Sequence, residues 1–366
     1  MNSKSRFELL KSLYDTDKFI DLINEPDGIY WLKLKSLSRT EQSRMLSKEI
    51  GLDPLKISSR QLFRHLFEQN IDVLLLNQFI NNLYEIDRAT RRNNEDYLVS
   101  QLYKMKVFDW GGLYQNNLEQ TIVNNYIKKI SDWEMLNKSI ENELHNSLRG
   151  YVQCSWYNHW SSILIEDVFN DHPHVLPTIG LVKKVDFFIH EFPFDLKVTY
   201  FPDGFMHYLR RLAGVRPEIT ELKRFCKSHS IWFDTTLPDK VLFSELLMKI
   251  EENTSTHSGE FLDEFKQIRS QLIQNSLNDP TELKIWLYEN QGVRRFDASN
   301  RFFLILINEN NLEESWKLKR NKPLLISNIN THLDDMTRSH IDNLKLKFLW
   351  EGREFNTYAD ILPIIV

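Results

Sequence analysis

Residues 183–200, KKVDFFIHEFPFDLKVTY, decide the fold that is predicted for this chain. Two runs rich in aromatic and β-branched residues flank HEFP at positions 190–193, which predicts two antiparallel strands joined by a four-residue turn. With a loop of that length, Asp186 on the first strand lies opposite Lys197 on the second. The hairpin therefore carries charged side chains in the middle of two otherwise apolar strands.

The alternation of side chains along each strand divides the hairpin into a polar face and an apolar face. The polar face carries two carboxylates, one ammonium group and one hydroxyl: Asp186, Asp195, Lys197 and Thr199. The other face carries only aliphatic and aromatic residues: Val185, Phe187, Ile189, Phe194, Leu196 and Val198. Charged groups at the centre of a sheet are costly unless they pair with one another or hold a metal ion. The pattern therefore indicates either a buried salt-bridge cluster or a metal site.

These residues resemble the active site of the PD-(D/E)xK nuclease superfamily, the restriction-endonuclease-like fold. Members carry an acid on one strand of a hairpin, an acid-x-Lys triplet on the next strand, and often a glutamate on a preceding helix. The matching positions here are Asp186, the triplet Asp195-Leu196-Lys197, and Glu166 within SSILIEDVF. The chain departs from the family name at Val185, where proline is expected. The resemblance covers roughly residues 155–215.

The resemblance implies a Mg²⁺-dependent endonuclease that hydrolyses phosphodiester bonds in double-stranded DNA, most like a type II restriction enzyme. Asp186, Asp195 and Glu166 would then bind the metal, because Mg²⁺ prefers hard oxygen ligands. Lys197 would orient a water molecule or offset charge on the phosphorus, since two nearby carboxylates keep its ammonium group protonated. Cutting both strands calls for two active sites, so a homodimer is expected.

Several alternatives remain open at this point. The same fold could serve a protein that binds DNA or a protein partner without cutting, or a nuclease that acts on RNA or on DNA ends. Asp167 is the other candidate for the helical acid beside Glu166. The segment His172-Pro173-His174 contains two potential zinc ligands, but a turn leading into a short strand at Val175-Leu176 explains the same residues.

The composition restricts the class of protein. The chain has 366 residues, of which 42% are hydrophobic and 27% charged, so it can bury a sizeable core. The formal net charge of −5 provides no global basic field, and any nucleic-acid surface would be local. Two cysteines, Cys154 and Cys226, are too few for a disulfide framework. With no apolar run long enough to cross a bilayer, we expect a cytoplasmic protein with no membrane segment.

The pattern of elements predicts a mixed α/β (α+β) fold, in which helices flank a restriction-endonuclease-like core sheet. Residues 1–148 show helical periodicity and are predicted to form a helical N-terminal domain. Residues 149–366 would form the nuclease core, with a helical insertion at about 215–295 and strands near the C-terminus. Phe302–Ile307, FFLILI, is the strongest candidate for a fully buried strand.

Three groups of basic residues are candidates for contacts with DNA. A helix–turn–helix is predicted between Thr40 and Glu68, where Arg60 and Arg64 would enter a major groove. The other two groups lie after the hairpin and in the run WKLKRNK: Arg210, Arg211 and Arg216, then Lys317, Lys319 and Arg320. An ordinary helix pair explains the first group, and salt-bridged or solvated helix faces explain the others, so both interpretations remain open.

Overall fold

In a computed structural model, the described part of the chain comprises residues 3–110, 118–290 and 298–366. The segment before the hairpin is helical: α1 (Ser3–Asp15), α2 (Phe19–Asn24), α3 (Gly28–Ser36), α4 (Thr40–Glu49), α5 (Ser59–Glu68), α6 (Val73–Arg92), α7 (Glu95–Leu102), α8 (Leu118–Ile122), α9 (Trp133–Ser139) and α10 (His145–Asn170). Side chains cap several of these helices. The carboxylate of Asp72 accepts hydrogen bonds from two backbone N–H groups in the first turn of α6, which are otherwise unsatisfied.

The strands form one six-stranded mixed sheet in the order β1-β2-β3-β4-β6-β5. Their bounds are β1 (Val175–Val182), β2 (Val185–Ile189), β3 (Phe192–Tyr200), β4 (Arg301–Ile307), β5 (Lys345–Trp350) and β6 (Arg353–Ile365). β1, β2 and β3 form an antiparallel meander, β4 pairs with β6 in parallel, and β5 pairs with β6 in antiparallel orientation. The predicted mixed α/β class, with helices around a sheet, is confirmed at this level.

The remaining helices follow the hairpin: α11 (Asp203–Leu212), α12 (Glu218–Ser228), α13 (Asp239–Glu252), α14 (Thr256–Asn278), α15 (Thr281–Glu289), a 3₁₀ helix (Leu312–Arg320), α16 (Lys322–Asp335) and α17 (Arg338–Asn343). Helices α12 to α15 occupy the predicted insertion at 215–295, of which positions 291–295 lie outside the described residues. No described helix combines the length and apolar character needed to cross a lipid bilayer.

The chain packs as two compact units that interrupt one another in sequence. The first unit consists of Met1–Leu196 and Trp316–Asn343, and the second of Lys197–Ser315 and Leu344–Val366. Residues 149–196, expected to begin a C-terminal domain, therefore pack with the N-terminal helices. The reason is that α10 is tied to the helices before it by buried ion pairs, which sequence periodicity does not reveal.

The core of the first unit joins the N-terminal helices to the hairpin. Trp31 of α3 and Phe188 of β2 are each 1% exposed and belong to one apolar cluster. On the other face of β2, the rings of Phe187 and Phe169 of α10 are stacked with centroids 5.1 Å apart. Each such buried side chain contributes about 1.5–3 kcal/mol to the free energy of folding. β2 is thus held between helices on both faces.

The core of the second unit contains β4, in which every residue is buried, as predicted for Phe302–Ile307. Continuous apolar sequence is typical of a strand covered on both faces. The C-terminal strands are also confirmed, and the turn between β5 and β6 places Glu351 and Gly352 at positive φ. Helices α12, α13 and α14 form a separate apolar cluster around Leu222 and Leu246.

Candidate active site

The turn of the hairpin is shorter than the sequence predicted. Ile189 pairs with Phe192, so only His190 and Glu191 form the turn, with left-handed φ angles of 46° and 78°. Phe192 and Pro193, assigned to the turn from the sequence, belong to β3. The predicted four-residue loop is therefore wrong, and the register between β2 and β3 differs from the prediction by two residues.

The corrected register preserves the predicted faces, because side chains on a strand repeat every two residues. Phe187 pairs with Phe194, and the same register continued by one residue places Asp186 opposite Asp195 rather than Lys197. Lys197 follows on the same face, two residues further along β3. In that extended register the two carboxylates would face each other across neighbouring strands, and the lysine would come next on β3.

Hydrogen bonds to both neighbouring strands fix Asp186. Its Oδ2 accepts a hydrogen bond from the backbone N–H of Leu196 at 2.7 Å, and its carbonyl oxygen accepts one from Thr178 Oγ1 at 3.0 Å. A backbone N–H that donates to a carboxylate forms a short, charge-assisted hydrogen bond. The half-buried carboxylate of Asp186 is thus held beside β3 where Asp195 and Leu196 meet.

The burial of this pair favours a positive charge nearby. Asp195 is 7% exposed, and a buried carboxylate is costly unless a counter-charge is near. Cβ atoms of directly opposite residues lie about 4.5–5.5 Å apart, and like charges at that separation destabilise a sheet. The half-buried Lys197 supplies one positive charge on this face. A divalent cation bound between the carboxylates would supply a second.

Two carboxylates suit a cation that keeps several water ligands better than one that is bound by protein side chains alone. Within the described ranges, no group of three or more His, Cys, Asp or Glu side chains is placed to hold a metal ion. The structure therefore does not bring Glu166 into one cluster with Asp186 and Asp195. Mg²⁺ is usually bound by one or two carboxylates, with waters and substrate phosphates completing its shell. The two hairpin aspartates fit that requirement, while a ligand role for Glu166 remains a prediction.

The two candidates for the helical acid have different surroundings. Asp167 is buried and accepts hydrogen bonds from Arg91 Nη2 at 2.7 Å and Nε at 2.9 Å, while Arg88 Nη1 lies 3.5 Å away. Glu166 is half-buried, one turn before Phe169, whose ring packs on β2. Asp167 is thus a member of a structural ion-pair network. A catalytic role for Glu166 remains a prediction.

This network ties α10 to α6, α7 and α16. Arg88 is 3% exposed and donates to Asp171 Oδ2 at 2.8 Å, and Glu95 bridges Arg88 and Lys322. Burial acts to raise the pKa of Glu95, but hydrogen bonds from Lys322 and Arg88 outweigh it and hold the pKa below its ordinary value. The pKa of Asp171 is lowered in the same way, against its burial, by hydrogen bonds from Arg88 and Tyr84. The network therefore contributes stability only while these carboxyl groups are ionised.

The histidines near β1 make structural contacts. His172 Nε2 lies 3.1 Å from Asp334 Oδ1, and His174 Nδ1 donates to the carbonyl oxygen of Leu333 at 3.1 Å. β1 begins at Val175, directly after these residues, as expected for a turn that leads into a strand. The contacts explain the two histidines without zinc.

Sequence reasoning missed the residues that anchor the tip of the hairpin. Lys33 of α3 is 1% exposed, and its Nζ forms hydrogen bonds with Glu191 and, at 2.9 Å, with Asn77 Oδ1. On the other side, His190 Nε2 donates to the carbonyl oxygen of Met336 at 2.6 Å. The only sequence signal was a lysine inside the otherwise apolar segment IYWLKL, and no spacing connects it to a turn so far along the chain.

Two helices, α4 and α5, lie within the segment where the helix–turn–helix was predicted. α4 and α5 flank a turn in which Gly51 adopts φ of 77°, and α5 buries Leu62 against the N-terminal core. Arg60 is exposed, whereas Arg64 donates from Nε to Glu68 at 2.9 Å along the helix. Neither observation tests a contact with DNA, so that role remains a prediction.

The basic group after the hairpin is only partly on the surface. Arg210 is 1% exposed and donates from Nε to the carbonyl oxygen of Arg216 at 2.6 Å, which makes it a structural residue of the second unit. Arg216 is exposed and pairs with Glu221 at 3.2 Å, and Arg211 is exposed. The prediction that Arg210 contacts DNA is therefore wrong, because its side chain is buried.

The basic run before α16 is largely buried. Lys319 is 6% exposed and donates to Asn158 Oδ1 at 2.9 Å, and burial lowers its pKa to about 8. Arg320 is 6% exposed and donates from Nη1 to two backbone carbonyl oxygens, while Lys317 is half-buried beside Trp316. The predicted basic surface is therefore absent at residues 319 and 320, where the charged heads turn inward to satisfy buried groups.

Comparisons of the chain with known protein families, curated proteins and solved structures returned no match.

Proposed function

We propose that this protein is a Mg²⁺-dependent endonuclease that hydrolyses DNA phosphodiester bonds, in the manner of a site-specific restriction enzyme. One observation carries the proposal: the carboxylate of Asp186 accepts a hydrogen bond from the backbone N–H of Leu196, the residue between Asp195 and Lys197 on the neighbouring strand. A divalent cation between the two carboxylates would offset the repulsion that like charges on neighbouring strands produce. The resemblance of the hairpin to the PD-(D/E)xK pattern supports the same conclusion.

In the proposed site, Asp186 and Asp195 would hold the cation. When bound there, Mg²⁺ would supply positive charge against the phosphate and make a water molecule more acidic. The hydrogen bond from Leu196 orients the Asp186 carboxylate before metal or substrate arrives. Lys197 would stabilise negative charge as it develops on the phosphoryl oxygens, and Glu166 on the preceding helix would position a water molecule.

The proposed substrate is double-stranded DNA. The exposed Arg60 on α5 would contact the duplex, and the exposed Arg211 would contact a phosphate of the backbone. Because one site cuts one strand at a time, we propose that a homodimer makes double-strand breaks. Sedimentation of the protein with and without a cleavable duplex tests that part separately.

The decisive test of the activity is incubation of the purified protein with a mapped supercoiled plasmid, with Mg²⁺ or with EDTA. Parallel reactions contain single-stranded DNA, RNA and linear duplexes labelled at their ends. We expect cutting of the plasmid with Mg²⁺ alone, and discrete bands for a site-specific enzyme. Cleavage of RNA, or trimming of DNA ends, would change the assignment of the substrate. Binding of DNA without any cleavage would refute the proposed nuclease activity.

Lys197 provides a second test with a matched control. Lys197→Met should remove cleavage while leaving Mg²⁺ binding in place, because the ammonium group acts on the phosphoryl charge. The same change at Lys227, an exposed lysine of α12, should leave the rate unaltered. Equal activity in both variants would contradict the role given to Lys197.

A further inference from the structure

The two-residue turn between β2 and β3 has a sequence that does not favour it. A turn of this length that requires positive φ at both central positions strongly prefers Asn-Gly. Here His190 and Glu191 adopt φ of 46° and 78°, although residues with a Cβ rarely occupy this region. The turn therefore needs support from outside the hairpin.

Contacts from distant parts of the first unit provide that support. Glu191 is held by Lys33, whose Nζ is also bound to Asn77 Oδ1, and His190 donates to the carbonyl oxygen of Met336. Three elements thus hold the two turn residues: α3, α6 and the segment after α16. Burial lowers the pKa of Lys33, although Glu191 opposes the shift, so the pair holds its charge against a desolvation penalty.

The alternative conformation of this hairpin has a definite geometry. A four-residue turn that includes Phe192 and Pro193 is compatible with the sequence and keeps the same side chains on each face. It would slide β3 by two residues, so that Asp186 would face Lys197 and Asp195 would face Phe188. The two carboxylates would then lie on a diagonal, about 7–8 Å apart at the backbone, instead of directly opposite.

We infer that Lys33 is a positioning residue, which selects the register of the catalytic hairpin through Glu191 and so places Asp186 opposite Asp195. The catalytic consequence rests on the proposed function, whereas the structural one does not. Lys33 touches neither metal nor substrate in this scheme. It acts by holding Glu191 in the left-handed conformation that the short turn requires.

A cross-linking experiment tests the register without any activity. Asp186→Cys/Asp195→Cys and Asp186→Cys/Lys197→Cys are each oxidised mildly in the full chain, with and without Lys33→Met, and the linked peptides are identified by mass spectrometry. A disulfide requires Cα atoms about 4.4–6.8 Å apart, so it forms between opposite residues and not along the diagonal. We expect the 186–195 link with Lys33 present, and its replacement by the 186–197 link in Lys33→Met. An unchanged 186–195 link in Lys33→Met would overturn the inference.

Cleavage of plasmid DNA tests the consequence for function. Lys33→Met should lower the rate about a hundredfold at a temperature where circular dichroism shows a folded chain, because small displacements of reacting groups cost that much. Lys35→Met, the same change two residues along α3, should have no such effect, since Lys35 packs on Tyr14 and Phe63 instead. Glu191→Gln changes the more exposed residue of the Lys33–Glu191 pair and should also lower the rate of cleavage.

Rescue separates positioning from simple destabilisation. Lys33→Met combined with His190→Asn and Glu191→Gly supplies a turn that forms by itself, so we expect it to restore both the 186–195 link and cleavage. Loss of cleavage that the new turn does not restore would overturn the positioning role. A wild-type protein that cuts nothing refutes the proposed nuclease, while the cross-links still decide the role of Lys33.

Discussion

Replacing each of the two adjacent acids of α10 by its amide separates catalysis from stability. Asp167 is 5% exposed and accepts hydrogen bonds of 2.7 and 2.9 Å from Arg91. Hydrogen bonds to charged groups contribute about 1.5–3 kcal/mol each, and an amide keeps one accepting oxygen, so Asp167→Asn should lose about 2–4 kcal/mol. For a cooperative unit of roughly 200 residues, the melting temperature then falls by about 4–16 °C. Cleavage measured well below that temperature should remain close to wild type.

Glu166→Gln should behave in the opposite way. The side chain is half-buried and its volume is kept, so the free energy of unfolding should change by at most about 1 kcal/mol. Cleavage should fall about a hundredfold, because the carboxylate that positions water is gone. Thermal unfolding by circular dichroism and plasmid cleavage on the same samples provide both quantities. If Asp167→Asn melts normally but does not cut, while Glu166→Gln cuts normally, the assignment of these two acids is refuted.

Three further predictions concern buried charges. Burial acts to raise the pKa of Glu95, but hydrogen bonds from Lys322 and Arg88 hold it below 4.5. The stability that these bonds provide is therefore present above that pH and is lost as the pH falls further. Between pH 7 and pH 3, the free energy of unfolding measured in urea should fall less in Arg88→Met than in the wild type. Burial lowers the pKa of Lys319 from 10.5 to about 8, so between these pH values the unfolded chain keeps a proton that the folded chain has lost. The free energy of unfolding should therefore rise by about 3 kcal/mol as the pH increases from 8 to 10.5. The difference in unfolding free energy between wild type and Lys319→Met should show this rise, and a difference that is constant with pH would contradict it. Glu218→Gln removes the carboxylate that pairs with the buried Arg269 and Arg210. The free energy of unfolding measured in urea should fall by about 3–5 kcal/mol. A fall below about 1 kcal/mol would show that water screens these three charges.

The alternation of residues 183–200 predicts a polar and an apolar face of the hairpin, and an even shift of register leaves that assignment unchanged. It could not predict the register itself. The turn residues His190 and Glu191 carry no glycine or asparagine signal. Their contacts come from distant positions, such as Lys33, which lies 158 residues before Glu191, and Met336, which bonds to His190. Local sequence rules do not include such partners.

The charged residues were the least predictable from sequence. Lys319 and Arg320 lie in a run that is typical of a solvated helix face, yet their ends reach a side-chain oxygen and two backbone carbonyls inside the first unit. Long side chains can bury their stems and satisfy their heads internally, and composition does not separate the two cases. Likewise, only the three-dimensional contacts with Arg88 and Arg91 distinguish Asp167 from Glu166.

The most direct test of the central claim is the rate of Mg²⁺-dependent plasmid cleavage by Asp186→Asn and Asp195→Asn. Asp263→Asn is the matched control, because Asp263 is an exposed aspartate of α14, away from the hairpin strands in sequence. We predict that each hairpin variant remains folded and loses about a thousandfold in rate, equivalent to about 4 kcal/mol of activation free energy, while the control cuts like wild type. Cleavage by Asp195→Asn at the wild-type rate would contradict the account.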